Sequence, residues 1–175
     1  KRKRFKTDIA ARVFRGVQPT ANVNDRPLRW EEKRDALRQC DVICGGLDGF
    51  VARRDLEMFC REHMIPLVDV GMTVLRYDDS SPEIRGQVII SMPGQLCMNC
   101  LQFLTVENLR LDAQTYDATP QPQVVWSNGI LASAAVGYVV GLLTGWSGES
   151  RPSCRTDYCG STMAMTSSHL AAALT

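Results

Sequence analysis

Asp41-Val-Ile-Cys-Gly-Gly-Leu-Asp48-Gly-Phe50 is the stretch that decides the fold. It reads as a short apolar strand running into a glycine-bearing turn. Val51 to Met64 then reads as a helix, and Ile65-Pro-Leu-Val-Asp-Val-Gly71 as a second apolar strand. Strand, helix and strand at this spacing form a βαβ unit, which requires parallel strands. Such sheets bind ligands beyond the carboxyl ends of their strands, and Asp48 stands just past one of those ends. A carboxylate there can hold Mg²⁺ on a nucleotide, because Mg²⁺ needs only one or two carboxylates beside substrate phosphates. The plainer alternative is a turn former, since Asp-Gly is a common turn dipeptide.

Outward from this unit the pattern is mixed. Phe5 to Val17 has the spacing of an amphipathic helix, with Ile9, Ala10, Val13, Phe14 and Val17 as its stripe and Pro19 as its stop. Ala21 to Asn24 suits a short strand. Trp30 to Arg38 suits a surface helix with Ala36 and Leu37 turned inward. Beyond Gly71, Met72 to Tyr77 and Gln87 to Met92 read as two strands joined by a polar turn at Asp78 to Glu83, and Pro93-Gly94 marks the exit. Antiparallel strands after a βαβ unit predict a mixed sheet. Leu109 to Gln123 is polar, holds two prolines and reads as a loop.

The run from Val124 to Leu143 is almost free of charge and has about the length of a membrane span. Asn128 as N-cap and Gly145 as terminator would instead frame a helix of roughly 16 residues, or about 24 Å, which favours a buried core helix. Gly137-x-x-x-Gly141 also matches a membrane dimer motif.

The 175 residues suit one domain spanning 1–175, and the net charge of +1 gives no global signal for nucleic acid or a membrane surface. The basic run Lys1 to Lys6 stands apart. Lys6, at the start of the first helix, can join backbone N–H groups in a phosphate site, although a solvated basic tail is the plainer reading. No apolar leader precedes it, and the seven cysteines lack regular spacing. A reducing cytoplasm is therefore expected, with Cys40, Cys44 and Cys60 as small buried hydrophobes. Cys97-Met-Asn-Cys100 is half of a tetrahedral zinc site, and Cys154 and Cys159 are the remaining pair. A redox role for Cys97 and Cys100 ranks below zinc. His63 and His169 have no evident partners, and His63, at a helix end where a cation suits the dipole, is expected to be structural.

Several of these stretches, in this order, resemble the ThiF/MoeB superfamily, the E1-like enzymes that activate ubiquitin-like and sulfur-carrier proteins. Phe5-Lys-Thr-Asp-Ile-Ala-Ala-Arg-Val-Phe14 is similar to the family's lysine-led helix. Asp41 to Arg53 is similar to its strand followed by Asp, Phe and Arg. Pro66 to Gly71, Gly86-Gln-Val88, Met92-Pro-Gly94 and Cys97-x-x-Cys100-Leu101 follow in the family's order. Ser127 to Gly145 resembles its glycine-rich late helix. The resemblance implies a Rossmann-like α/β domain with a mixed, mainly parallel sheet that lacks its first βαβ unit.

It also implies chemistry: ATP-dependent adenylation of a carrier protein's terminal carboxylate, with Mg²⁺. On it, Lys6 neutralises phosphate charge, Asp48 holds the Mg²⁺, and Cys97 and Cys100 bind zinc. Relatives usually dimerise, so a homodimer is expected. The family's Gly-x-Gly-x-x-Gly loop is absent, which implies that the chain is the later part of a longer protein and alone a poor ATP binder. The second zinc pair would lie beyond Thr175, or Cys154 and Cys159 would substitute. Some relatives form a thioester on a cysteine of this loop, and none lies in Gln102 to Gln123, so the resemblance implies adenylation without a thioester step or a partner that supplies the thiol. The alternatives are a non-catalytic scaffold of the same fold, and an NAD-dependent dehydrogenase of related topology.

Overall fold

A computed structural model describes residues 5–77, 80–114, 124–146, 148 and 153–168. The chain forms two compact units, Lys1–Gln39 and Cys40–Thr175. In the first, helix α1 spans Lys6–Val17. Asp8 accepts a hydrogen bond from the Phe5 N–H (3.1 Å), which satisfies one of the open donors at the helix start. Arg15 pairs with Asp25 at 3.0 Å and holds the segment that follows. The expected stripe of Ile9, Val13, Phe14 and Val17 is exposed, and the buried residue of α1 is Ala11. Ala21 to Asn24 is not a strand. The second helix is a 3₁₀ turn, Trp30–Lys33, continued by α2, Arg34–Leu37. Ala36 is exposed and Leu37 half-buried.

The second unit carries a five-stranded sheet in the order β1-β2-β3-β4-β5. Strand β1 is Ile43–Gly45, α3 is Phe50–Glu62 and β2 is Leu67–Tyr77. β1 and β2 run parallel, with Ile43 opposite Leu67 and Gly45 opposite Asp69. This is the expected βαβ unit. The remaining pairs are antiparallel: β2 with β3 (Ser80–Ser91), β3 with β4 (Arg155–Cys159), and β4 with β5 (Ala164–Ser167). The sheet is therefore mixed, as expected, but its parallel part is confined to β1 and β2. The two segments separated at Gly71 are one strand of 11 residues, so the hairpin is longer than the apolar runs suggested.

Helix α4, Val106–Gln114, occupies the first part of the stretch expected to be a loop, and residues 115–123 lie outside those described. Helix α5, Val125–Thr144, has 20 residues, or about 30 Å at 1.5 Å per residue. It starts three residues before Asn128 and ends at Gly145, whose φ of 64° is the left-handed terminator expected there.

Period-two alternation divides the sheet chemically. Val68, Val88 and Tyr158 turn toward α5 and form a core with Leu131 and Ala135. The opposite face of α5 is exposed, with Val125, Val136, Val140 and Leu143 on it, so this apolar helix is buried along one side only. It is the one described helix long and apolar enough to cross a membrane, with a mean hydropathy of 1.4.

Gly86 sets how closely α5 approaches. A Cβ there would lie 2.5 Å from Leu131 Cδ1 and 2.9 Å from the Gly71 carbonyl oxygen. Leu131 can shift, but the strand backbone cannot. Gly86→Val is expected to lower unfolding free energy by about 1–3 kcal/mol in urea titrations, as overpacked cores do. Gly46→Ala, where nothing lies within 4 Å, is the control and should change little. Equal effects of the two substitutions would refute this account of the packing.

Candidate functional site

At the carboxyl end of β1, Gly45 lies against β2, where a Cβ would come within 2.8 Å of Asp69 Oδ1. The chain turns through Gly46 to Gly49 and enters α3 at Phe50. Asp48 lies on this turn and is exposed. Its carboxylate makes no hydrogen bond or ion pair among the described residues. A single open carboxylate fits Mg²⁺ shared with phosphate oxygens. It does not fit an all-protein metal cage: no group of three or more His, Cys, Asp or Glu placed to hold a metal occurs among the described residues.

The start of α3 is already occupied by an anion. Asp112 of α4 accepts the Val51 N–H at 2.9 Å, and a Cβ on Gly49 would meet the same carboxylate at 2.9 Å. A carboxylate suits the positive end of the helix dipole. Sequence reading missed Asp112, because nothing in a sequence signals a contact across 61 residues.

Beneath the turn, α3 is locked to the sheet by charge. Arg53 Nη1 donates to Asp69 Oδ2, and both side chains are buried. Burial raises the Asp69 carboxyl to about 6 from an ordinary 3.8, while the Arg53 guanidinium pulls it back down and nearby Glu57 adds to the rise. Phe103 packs on this pair, with the Arg53 and Arg155 guanidinium carbons 5.8 and 6.0 Å from its ring centre. One turn further along α3, Glu57 Oε1 accepts the Met98 N–H at 2.7 Å. Arg61 donates to Ser91 Oγ and to the carbonyls of Met92 and Gln95, at 3.1–3.2 Å. Helix α3 thus fixes both the Asp48 turn and the loop that carries Cys97 and Cys100.

Cys97 and Cys100 are brought together, with sulfurs 3.2 Å apart. The Cys100 N–H also donates to Cys97 Sγ at 3.3 Å. Burial holds the Cys97 thiol above its ordinary range, whereas the hydrogen bond from the Cys97 side chain holds Cys100 below. The pair supplies two of the four ligands of a tetrahedral zinc centre. Two thiolates about 2.3 Å from one tetrahedral zinc stand about 3.8 Å apart. No third ligand accompanies the pair among the described residues. Cys154 precedes β4 and Cys159 ends it, about 16 Å apart along an extended strand, so the two cannot serve one zinc together. Of the three cysteines expected in the core, only Cys60 is buried; Cys40 is half-buried and Cys44 exposed.

Past Asp69 the face of the sheet that carries α3 turns polar. Gly71, Thr73, Arg85, Gln87, Asp157 and Cys159 share it by register. Hydrogen bonds from the Ser161 and Thr162 side chains lower the Cys159 thiol to about 7. This polar strip adjoins the carboxyl end of β1, and Thr73 and Arg85 on it are exposed. Alternation within β3 and β4 was the signal that could have revealed it.

Lys6 is exposed at the first position of α1. It belongs to the amino-terminal unit and Asp48 to the other. His63 stacks on Phe59 with ring centres 4.5 Å apart, the structural role expected of it. His169 lies outside the described residues.

In sequence the chain matches the model of the ThiF family over residues 1–172. No curated protein matches it in sequence. Among solved structures it is similar to the one titled "Crystal Structure of SeMet PaaA", with a TM-score of 0.65 and 13% identity. That likeness covers 94% of this chain and 55% of the PaaA chain, so the chain spans little more than half the length of its structural neighbour. The shared fold, the ordered motifs and a family match running nearly end to end give one conclusion: the chain belongs to the ThiF family and has its Rossmann-like, E1-like fold.

Proposed function

We propose that the full-length polypeptide adenylates the C-terminal carboxylate of a ubiquitin-like or sulfur-carrier protein at the expense of ATP. One observation carries this reading: an exposed carboxylate, Asp48, sits at the carboxyl end of β1 on a turn whose flanks are fixed by Asp112 and by the Arg53–Asp69 pair. A carboxyl oxygen of the carrier tail bonds to the α-phosphorus of ATP, the bond to the β-phosphate oxygen breaks, and pyrophosphate leaves. Mg²⁺ held by Asp48 would neutralise charge on the phosphates as that bond breaks. Lys6 would supply a second positive charge to the phosphates. The polar strip beyond Asp69 is the path along which the tail would lie. Positioning and charge neutralisation supply most of the rate in such reactions.

ATP–pyrophosphate exchange tests the reading. Exchange that depends on a carrier ending in Gly-Gly supports it, and ATP turnover indifferent to the carrier does not. A non-catalytic, partner-binding role is the second reading. It is favoured by Asp112, whose carboxylate already sits on the helix start that a phosphate would otherwise use. The exposed apolar side of α5 supports pairing with a second copy, and concentration-dependent dimerisation would be seen by sedimentation.

A further inference from the structure

Helix α3 does not cap itself. Gly49 at its N-cap offers no side chain, and its first turn holds no acidic residue. The acceptor there is borrowed from α4: Asp112 Oδ2 takes the Val51 N–H at 2.9 Å. Gly49 makes the room, since a Cβ on it would stand 2.9 and 3.0 Å from the two oxygens of that carboxylate. Helix α4 is well anchored only where it begins. Leu101, Phe103 and Leu104 before it are buried. The Asn108 N–H donates to Thr105 Oγ1 at 3.1 Å, and Asn108 Nδ2 donates to the Phe103 carbonyl at 2.9 Å. Along the helix itself Val106, Glu107 and Arg110 are exposed, and Leu109 and Asp112 are half-buried. A segment with so few buried apolar contacts opens at low cost, so the Asp112 contact is a detachable one.

We infer that Asp112 is an internal inhibitor: α4 holds its carboxylate on the start of α3, and an incoming phosphate group must displace it. Asp48 borders the same turn, so the Mg²⁺–phosphate group proposed for it would arrive beside the Asp112 carboxylate. A phosphate carries more charge and more acceptor oxygens than a carboxylate, which gives it the advantage at a helix start. The last turn of α4 then lifts away while its first turn stays bonded to Thr105 and Phe103. No covalent bond changes; one anion replaces another. This inhibitor rests on the adenylation reading for its ligand and deepens it: the site is closed at rest and opened by its own nucleotide. A hydrogen bond to a charged acceptor, given up on opening, lowers the apparent affinity for the anion by about 10–100-fold.

The experiment is calorimetric titration of the full-length polypeptide and its Asp112→Ala and Asp112→Asn variants with Mg²⁺–ATP and, separately, with inorganic pyrophosphate. Asp112→Ala is expected to bind both about 10–100-fold more tightly than the wild type. Asp112→Asn, uncharged but of the same shape, should fall between the two. The wild-type protein gives a second readout that needs no variant to fold. Saturating pyrophosphate should speed hydrogen exchange in residues 105–114 and leave residues 98–104 unchanged. Equal affinities in wild type and Asp112→Ala, or weaker binding by the variant, would overturn the assignment and make Asp112 a permanent cap. So would unchanged exchange in residues 105–114, or anion binding by none of the three proteins. The adenylation reading fails separately. Tighter pyrophosphate binding by Asp112→Ala, with no ATP–pyrophosphate exchange in any of the proteins, keeps the inhibitor and removes that reading. Carrier-dependent exchange with equal affinities does the reverse.

Discussion

Arg53→Ala is expected to lower the unfolding free energy by about 3–5 kcal/mol at pH 8, among the largest single losses in this chain. The partner left behind is Asp69, buried on β2 with Oδ1 already lacking a hydrogen bond. With the guanidinium gone, Asp69 either stays charged without compensation or takes up a proton. The pair also holds α3 against the sheet one turn beyond Asp48, so the loss reaches the turn itself. Replacing both residues with apolar side chains of similar volume should recover much of the stability, because a buried pair contributes little beyond what good packing would. Urea unfolding of the two variants checks both statements.

The pH dependence follows from the direction of the Asp69 shift. Its folded value is raised from 3.8 to about 6, so the folded protein holds this proton over a range where the unfolded chain has released it. The contribution is fully present below pH 3.8 and is lost as pH rises through about 6, by about 3 kcal/mol at 1.36 kcal/mol per unit. In Arg53→Ala both contributions that lower the Asp69 value disappear, since each comes from Arg53, and the rise continues to higher pH. The cost of the substitution should therefore be smaller at pH 5 than at pH 8. A loss below 1 kcal/mol at both values would show that the pair does not bear on stability.

What the sequence made legible was local. The β1–α3–β2 unit could be read because an apolar run, a glycine turn and a helical period follow one another without interruption. The start of α1 and the end of α5 at Gly145 were equally local. The start of α5 was not, because a helix apolar on nearly every side has no period to mark its first turn, and Asn128 only looked like a cap. Leu109 to Gln114 was read as loop from its polarity, yet it is helical and supplies Asp112. That contact joins residues 61 apart, as Arg53 to Asp69 joins residues 16 apart. The one trace of the ion pair in the sequence was an Asp inside the apolar run Leu67-Val-Asp-Val70. The zinc expectation rested on spacing and on the family resemblance, and spacing does not say how far apart two sulfurs stand.

Asp48 is where the functional reading can be broken most cleanly. Asp48→Ala in the full-length polypeptide is expected to slow carrier-dependent ATP–pyrophosphate exchange by about 10²–10³-fold, the usual loss when one electrostatic stabiliser of a transition state is removed. Stability should hardly change, because the side chain is exposed and has no partner among the described residues. Asp48→Asn separates charge from backbone shape. Asn serves a turn about as well as Asp, so a residue that only shapes the turn would leave Asn at full exchange. A residue that binds Mg²⁺ through its charge would lose exchange with Asn nearly as completely as with Ala, and extra Mg²⁺ would restore part of it. Lys6→Ala should also slow exchange but respond differently, since added Mg²⁺ cannot replace a fixed ammonium group. Full exchange in Asp48→Asn would return Asp48 to the role of a turn residue and leave the partner-binding reading in possession of the fold.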